Sequence, residues 1–308
     1  MFSNILFPTD LSAYANAVLA CLPDLKPAGL RQVVLLSVIR SSDVPLPETL
    51  NQESLKYWRW SLGEQLNVAK MALEGKGVRV LTRIEYGNPV EQIVRVAEDE
   101  RVETIVMGAQ GATAAQELLI GSTAYEVMRR ATVPVLLQKF EVIRELGHLQ
   151  CRQVCEHTFQ RVLHPTDFSD CANAAFQVVK RLKSAGTAEV ILLHVQDERT
   201  MRNRPAEQIA AFDAEDTQRL ERMRRDLALY GMQSKFVLQQ GIPFRETLQV
   251  AEEENVNLIV LGSHGRSAVQ EMLAGSTFEN VVRASRRPVL VIRGAMPGMS
   301  NQTNRRNG

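Results

Sequence analysis

Short apolar runs alternate with longer segments of mixed polarity along the whole chain. Gln32–Ile39 and Glu189–Val195 are almost continuously aliphatic, the pattern of strands buried on both faces. In the first half, strands are expected at Asn4–Phe7, Gln32–Ile39, Val78–Tyr86, Thr104–Met107 and Val133–Leu137. Helical spacing falls between them, at Ala13–Leu22, across much of Pro45–Gly75, at Val90–Glu100 and at Ser122–Arg130. The second half repeats the order. Strands are expected at Arg161–His164, Glu189–Val195, Ser234–Gln240, Asn257–Leu261 and Pro288–Ile292; helices at Ala172–Lys183, a charged stretch through Tyr230, Pro243–Glu254 and Ser276–Ser285. Strands alternating with helices imply parallel sheets covered on both faces. The expected fold is α/β: two tandem, doubly wound, parallel five-stranded Rossmann-like domains, each with strand order 3-2-1-4-5.

The repeat extends to individual residues. Ile5-Leu6-Phe7-Pro8-Thr9-Asp10-Leu11-Ser12 returns as Val162-Leu163-His164-Pro165-Thr166-Asp167-Phe168-Ser169. Gly108-x2-Gly111-x9-Gly121-Ser122 returns as Gly262-x2-Gly265-x9-Gly275-Ser276. These landmarks divide the chain into a first domain at 1–139, a linker at 140–158, a second domain at 159–293 and a disordered polar tail at 294–308.

Each half therefore carries an acidic turn after its first strand and a glycine-spaced loop after its fourth. With strand order 3-2-1-4-5, strands one and four are neighbours at the point where strand order reverses, where doubly wound sheets bind ligands. Gly262 and Gly265 would let backbone approach ribose and phosphate. Gly275-Ser276-Thr277 would open a helix whose free N–H groups attract phosphate. Asp167 would accept hydrogen bonds from a sugar or base edge. The plain structural reading is that Asp10 and Asp167 cap helices, and that Ser276 with Glu279 forms a capping box.

Thirty-six basic against 35 acidic side chains leave a net charge of +1, which points away from nucleic acid and membrane surfaces. No apolar run approaches membrane-spanning length, the N-terminus lacks a signal-peptide pattern, and four cysteines make no secretory framework; a cytoplasmic setting is expected. His148, Cys151, Cys155 and His157 crowd the linker, but C-x3-C is not a standard zinc spacing, and if helical the two cysteines would share a face. No metal site is assigned.

The second half, through Val190–Val195, Gly262-Ser263-His264-Gly265-Arg266, Gly275-Ser276 and Pro288–Ile292, resembles the universal stress protein family, in particular its ATP-binding branch with G-x2-G-x9-G-[ST]. The resemblance spans both halves and implies a tandem member. It implies adenosine contacts at Asp167 and Val195, and a ribose and phosphate cradle at Gly262, Gly265, Gly275, Ser276 and Thr277. Pro165, Thr166, Leu261, His264 and Arg266 complete that site. The same transfer to the first half names Pro8, Thr9, Asp10, Val38, Met107, Gly108, Gly111, Gly121, Ser122 and Thr123. There Gln110 and Ala112 stand where His264 and Arg266 stand in the second loop, so a cationic phosphate contact is missing and the second site is expected to bind more tightly. The resemblance further implies pairing of last strands, here Val133–Leu137 against Pro288–Ile292 within one chain.

The expected function is an adenine-nucleotide (ATP or AMP) regulatory module of stress response, with Mg as an accompanying ion, an unidentified protein partner, and homodimerisation left open. No catalytic residue is assigned, because phosphate-loop, G-x-G-x-x-G and G-x-S-x-G patterns are absent. Slow ATP hydrolysis, adenylate transfer and a nucleotide-free scaffold are the competing readings.

Overall fold

The computed structural model describes residues 1–40, 52–109, 120–145, 148–153, 157–263 and 277–293. The first half runs β1 (Asn4–Pro8), α1 (Ala13–Cys21), β2 (Gln32–Arg40), α2 (Gln52–Glu74), β3 (Arg79–Gly87), α3 (Pro89–Asp99), β4 (Thr104–Gly108), α4 (Ser122–Arg130) and β5 (Val135–Gln138). A hairpin follows, β6 (Phe140–Glu145) and β7 (His148–Gln153). The second half runs β8 (Arg161–Pro165), α5 (Asp170–Arg181), β9 (Glu189–Asp197), α6 (Glu198–Met201), α7 (Ala206–Leu229), β10 (Gln233–Gly241), α8 (Pro243–Glu253), β11 (Leu258–Gly262), α9 (Thr277–Ala284) and β12 (Val289–Ile292).

The strands form one ten-stranded sheet in the order β10-β9-β8-β11-β12-β5-β4-β1-β2-β3, so each half has the expected 3-2-1-4-5 order. All pairings within a half are parallel. The halves join through β5 and β12, antiparallel, with Leu136 opposite Leu290 and Val135 and Leu137 opposite Val291 and Val289. The apolar strands are buried on both faces. Ile5, Phe7, Val33 and Leu35 face a layer of α1, α2, α5 and α7, and Leu6, Val34 and Leu36 face a layer of α3, α4, α8 and α9. Both layers continue across the seam.

The structure adds detail to these expectations. Part of the expected linker at 140–158 is a β-hairpin with Val142 opposite Cys151 and Glu145 opposite His148. Cys151 therefore stands on a strand, and a shared helical face with Cys155, which lies outside the described residues, does not form. The second half also has five helices rather than four, because a short α6 precedes α7. The tail at 294–308 lies outside the described residues. Among the described helices none is long and apolar enough to cross a membrane.

The seam follows a pseudo-two-fold axis through matching residues of the two halves. On one face Phe2 meets Phe159, ring centroids 5.1 Å apart. On the other, the Tyr125 hydroxyl of α4 donates to Glu279 of α9, with Arg283 and Arg129 over its ring at 5.2 and 5.7 Å. Lys139 Nζ donates to the Val282 carbonyl at 2.9 Å, and Arg293 Nη1 to the Ala131 carbonyl at 3.4 Å. Each half thus places a cation at the C-terminus of the other half's last helix, where the dipole favours it. Burial pushes the Lys139 ammonium down to about 8.

Candidate nucleotide site

Adjacent pairing of the first and fourth strands brings the acidic turn and the glycine-loop ends to one side of each half. β1 aligns Ile5 with Thr104 and Leu6 with Ile105 of β4; β8 aligns Val162 with Leu258 and Leu163 with Ile259 of β11. Thr9 and Asp10 leave β1 beside Met107 and Gly108 at the end of β4, and Thr166 and Asp167 leave β8 beside Leu261 and Gly262. This is the switch point of each sheet. Val38 and Val195, half-buried near the ends of β2 and β9, pack on the same core layer.

The two acidic turns are built alike. The Thr9 amide donates to Leu36 O and the Thr166 amide to Leu193 O, both at 2.8 Å, holding each turn to the neighbouring strand. Thr9 Oγ1 accepts from the Leu11 amide and Asp10 Oδ1 from the Ser12 amide, each at 3.0 Å. Thr166 and Asp167 repeat this with Phe168 and Ser169 at the same distances. Leu11 and Phe168 are forced to φ values of 59° and 60°. Non-glycine residues pay of order 1 kcal/mol for that left-handed conformation, and such strain gathers at ligand clamps. The helix caps are Ser12 and Ser169, whose Oγ atoms accept from Ala15 and Ala172 at 3.2 Å. Capping by Asp10 and Asp167 is therefore replaced: the aspartates shape the turn two residues before the caps.

The glycine-loop ends divide between described and undescribed residues. Gly121 caps α4 with extended backbone (φ −65°, ψ 147°) and no side-chain hydrogen bond, and its amide donates to Ala109 O at 2.8 Å. Ser122 and Thr123 occupy the first turn of α4, whose leading N–H groups have no acceptor within the helix. In the second half Thr277 begins α9. Gly111, His264, Gly265, Arg266, Gly275 and Ser276 lie outside the described residues. The capping box cannot be followed to Ser276, but Glu279 accepts the Tyr125 hydroxyl across the seam.

Gly262 has a structural cause of its own. A Cβ there would lie 2.8 Å from Cys171 Sγ and 2.9 Å from the Cys171 carbonyl carbon and oxygen, so glycine lets the start of α5 reach the end of β11. Burial pushes His164, in the strand leading to the turn, down to about 4. Its Nδ1–H donates to Val260 O at 2.9 Å, and Nε2 has no partner among the described residues.

A polar cluster unforeseen from the sequence supports the second turn. His194 Nδ1–H donates to the Thr166 carbonyl at 2.7 Å, and its Nε2 lies 3.3 Å from Asp216 Oδ2 of α7. Gln196 Nε2 donates to the same carboxylate oxygen at 3.1 Å. The Phe168 ring packs against His194 at 4.6 Å and carries the Arg219 guanidinium at 5.2 Å on its other contact. In the first half Ser37 and Ile39 hold the positions of His194 and Gln196. Polar residues interrupting the aliphatic run of β9 were the available signal. Among the described residues no cluster of metal-ligating side chains occurs.

Residues 1–139 and 158–293 each match the Universal stress protein family. The chain belongs to that family. Its relatives include universal stress protein MJ0577 of Methanocaldococcus jannaschii, 34% identical over 154 residues, which is 44% of this chain and 95% of that protein. Universal stress protein Rv2005c of Mycobacterium tuberculosis is 26% identical over 280 residues, 87% of each chain. The crystal structure of a universal stress protein from Archaeoglobus fulgidus matches with a TM-score of 0.72 at 27% identity, covering 94% of this chain and 96% of that one. The full-length matches agree with two universal stress domains in tandem.

Proposed function

We propose that this universal stress protein is a regulatory module that binds adenine nucleotide, ATP or AMP, at the switch points of its two halves. The observation that carries the reading is the adjacency of β1 to β4 and of β8 to β11, which sets each strained acidic turn beside the strand that feeds the glycine loop. The described residues suit such a ligand. Val38 and Val195 offer half-buried apolar contact for a base, Asp10 and Asp167 offer acceptors, and the uncapped start of α4 offers N–H groups for phosphate. The second site is the stronger one: its turn is braced through His194 and Asp216, and its loop sequence adds His264 and Arg266. A preorganised turn loses less entropy on binding.

Mass spectrometry of denatured, freshly purified protein, followed by calorimetric titration of ATP and AMP, tests the reading. Released adenine nucleotide, or micromolar binding with stoichiometry between one and two, supports it. Absence of nucleotide and of heat into the millimolar range would overturn it. Gly121→Val and Gly275→Val, titrated separately, test the ranking: the second should cost more affinity, and equal losses would refute it.

A further inference from the structure

Helix α2 carries an apolar stripe that nothing in the chain's described residues covers. Tyr57, Trp60, Val68 and Met71 are 63, 64, 71 and 68% exposed. With Glu64 they follow the spacing 57, 60, 64, 68, 71. At 100° per residue they fall within about 80° of one another and run for about 21 Å. The opposite face, through Leu66, Ala69 and Leu73, is buried on the sheet. The stripe is thus a second apolar surface on one helix.

The other half supplies an internal control. Helix α7 occupies the corresponding place, with Leu220 and Leu227 buried where α2 buries Leu66 and Leu73. Its residues matching the stripe are Ala211, Ala214, Gln218, Arg222 and Arg225, all exposed. The fold therefore does not require large apolar side chains on that face, since small and polar ones serve in the same molecule.

We infer that the α2 stripe is an interface with a second copy of this chain, two α2 helices packing antiparallel about a two-fold axis near Glu64. Area is the first argument. The stripe's four large side chains together present roughly 550 Å² of accessible surface. That is the upper end of the largest apolar patch on a typical monomer, and with the polar side chains flanking it the patch can form the apolar centre of an interface to which each partner contributes ~800 Å². Charge is the second. Helix α2 balances Lys56, Arg59 and Lys70 against Glu53, Glu64 and Glu74, so it has no net attraction for anionic lipid or nucleic acid. Antiparallel pairing sets Trp60 against Val68, Tyr57 against Met71, and the Lys56–Arg59 end towards Glu74 of the other copy. The pairing is self-complementary, as an isologous interface must be. It leaves one imperfection, two Glu64 carboxylates approaching across the axis.

That imperfection makes the test specific. Sedimentation velocity of the full chain from 1 to 100 µM should show a dimer (the concentrations span the range of transient to stable interfaces). Val68→Arg with Met71→Arg, which installs the residues that α7 already exposes, should weaken dimerisation by more than about tenfold, with an unchanged circular dichroism spectrum. Glu64→Gln should strengthen it, and Glu64→Cys should cross-link to itself on oxidation, mapped by mass spectrometry. A monomer throughout, a dimer indifferent to Val68→Arg/Met71→Arg, or binding of the monomer to lipid vesicles instead would overturn the inference.

Discussion

Replacing His164 by phenylalanine, the residue that stands at the matching position 7, should remove a block of acid sensitivity from the second half. His164 is fully buried, and burial holds its imidazole at about 4 against an ordinary 6.5. The Nδ1 proton goes to the Val260 carbonyl, so a second proton would have to enter at Nε2, where no acceptor lies among the described residues. The sign follows from proton counts. Between pH 6.5 and 4 the unfolded chain binds a proton that the folded chain refuses, so stability falls as pH falls through that window and is complete above it. The gap is worth about 3 kcal/mol in full, and roughly 2 kcal/mol of it is lost between pH 7 and pH 5. Urea unfolding followed by circular dichroism at pH 5, 6 and 7, for the protein and for His164→Phe, isolates the effect. Losing the Val260 hydrogen bond shifts the variant by an amount that does not depend on pH and cancels in the comparison. The stability difference between the two proteins should move by about 2 kcal/mol in the variant's favour from pH 7 to pH 5. Parallel pH curves would refute the assignment of a proton-excluding histidine. Hydrogen exchange should place the acid-labile amides in β8 and β11.

Three further outcomes are expected. Gly262→Ala drives a Cβ against the Cys171 backbone and should cost about 1–3 kcal/mol, read as a lower thermal midpoint; no change would mean that α5 moves away freely. Lys139, held at about 8 by burial, refuses a proton that the unfolded chain keeps up to its ordinary 10.5, so stability should rise with pH between those values. Lys139→Met should flatten that rise in denaturation measured at pH 7.5, 9 and 10, and an unchanged slope would contradict the burial argument. Tyr125→Phe removes the hydroxyl that Glu279 accepts and should destabilise the seam by about 1–2 kcal/mol, detectable as faster hydrogen exchange of β5 and β12.

The sheet was legible in the sequence because each strand is a short aliphatic run and two copies of one order constrain each other. Alternation of strand and helix gave parallel, doubly wound sheets; the 3-2-1-4-5 order was adopted among the orders such sheets allow, and the β5–β12 pairing came from the resemblance. The hairpin at Phe140–Gln153 was not legible, since Phe-Glu-Val-Ile-Arg-Glu has only a weak alternation and its pairing is set by contacts that no local pattern records. Capping by the aspartates, the plain structural alternative to ligand contact, rests only on their preceding helices; the serines two positions later cap, and the aspartates brace them. Gly262 was legible as a glycine but not for its reason, because the approach of Cys171 depends on how α5 lies on the sheet. His194 and Asp216 show the same limit. Their side chains meet only once the rotation of α7 about its axis is known, and that is a property of packing rather than of spacing.

The β5–β12 seam has an arithmetic of its own. Two separate subunits pairing through their last strands would part on dilution; here a peptide tether fixes an effective concentration that dilution cannot change. A subunit pair built from one sequence must also place every residue on the axis opposite itself, and tyrosine facing tyrosine or glutamate facing glutamate would be the only choices at the position where Tyr125 meets Glu279. Fusion lifts that constraint. Each half can change alone, so a hydrogen-bonded unlike pair can occupy the axis, and a braced turn can sit in one half while its twin keeps Ser37 and Ile39. The covalent join thus turns a symmetric pair into two halves that can be tuned separately yet are always delivered one to one.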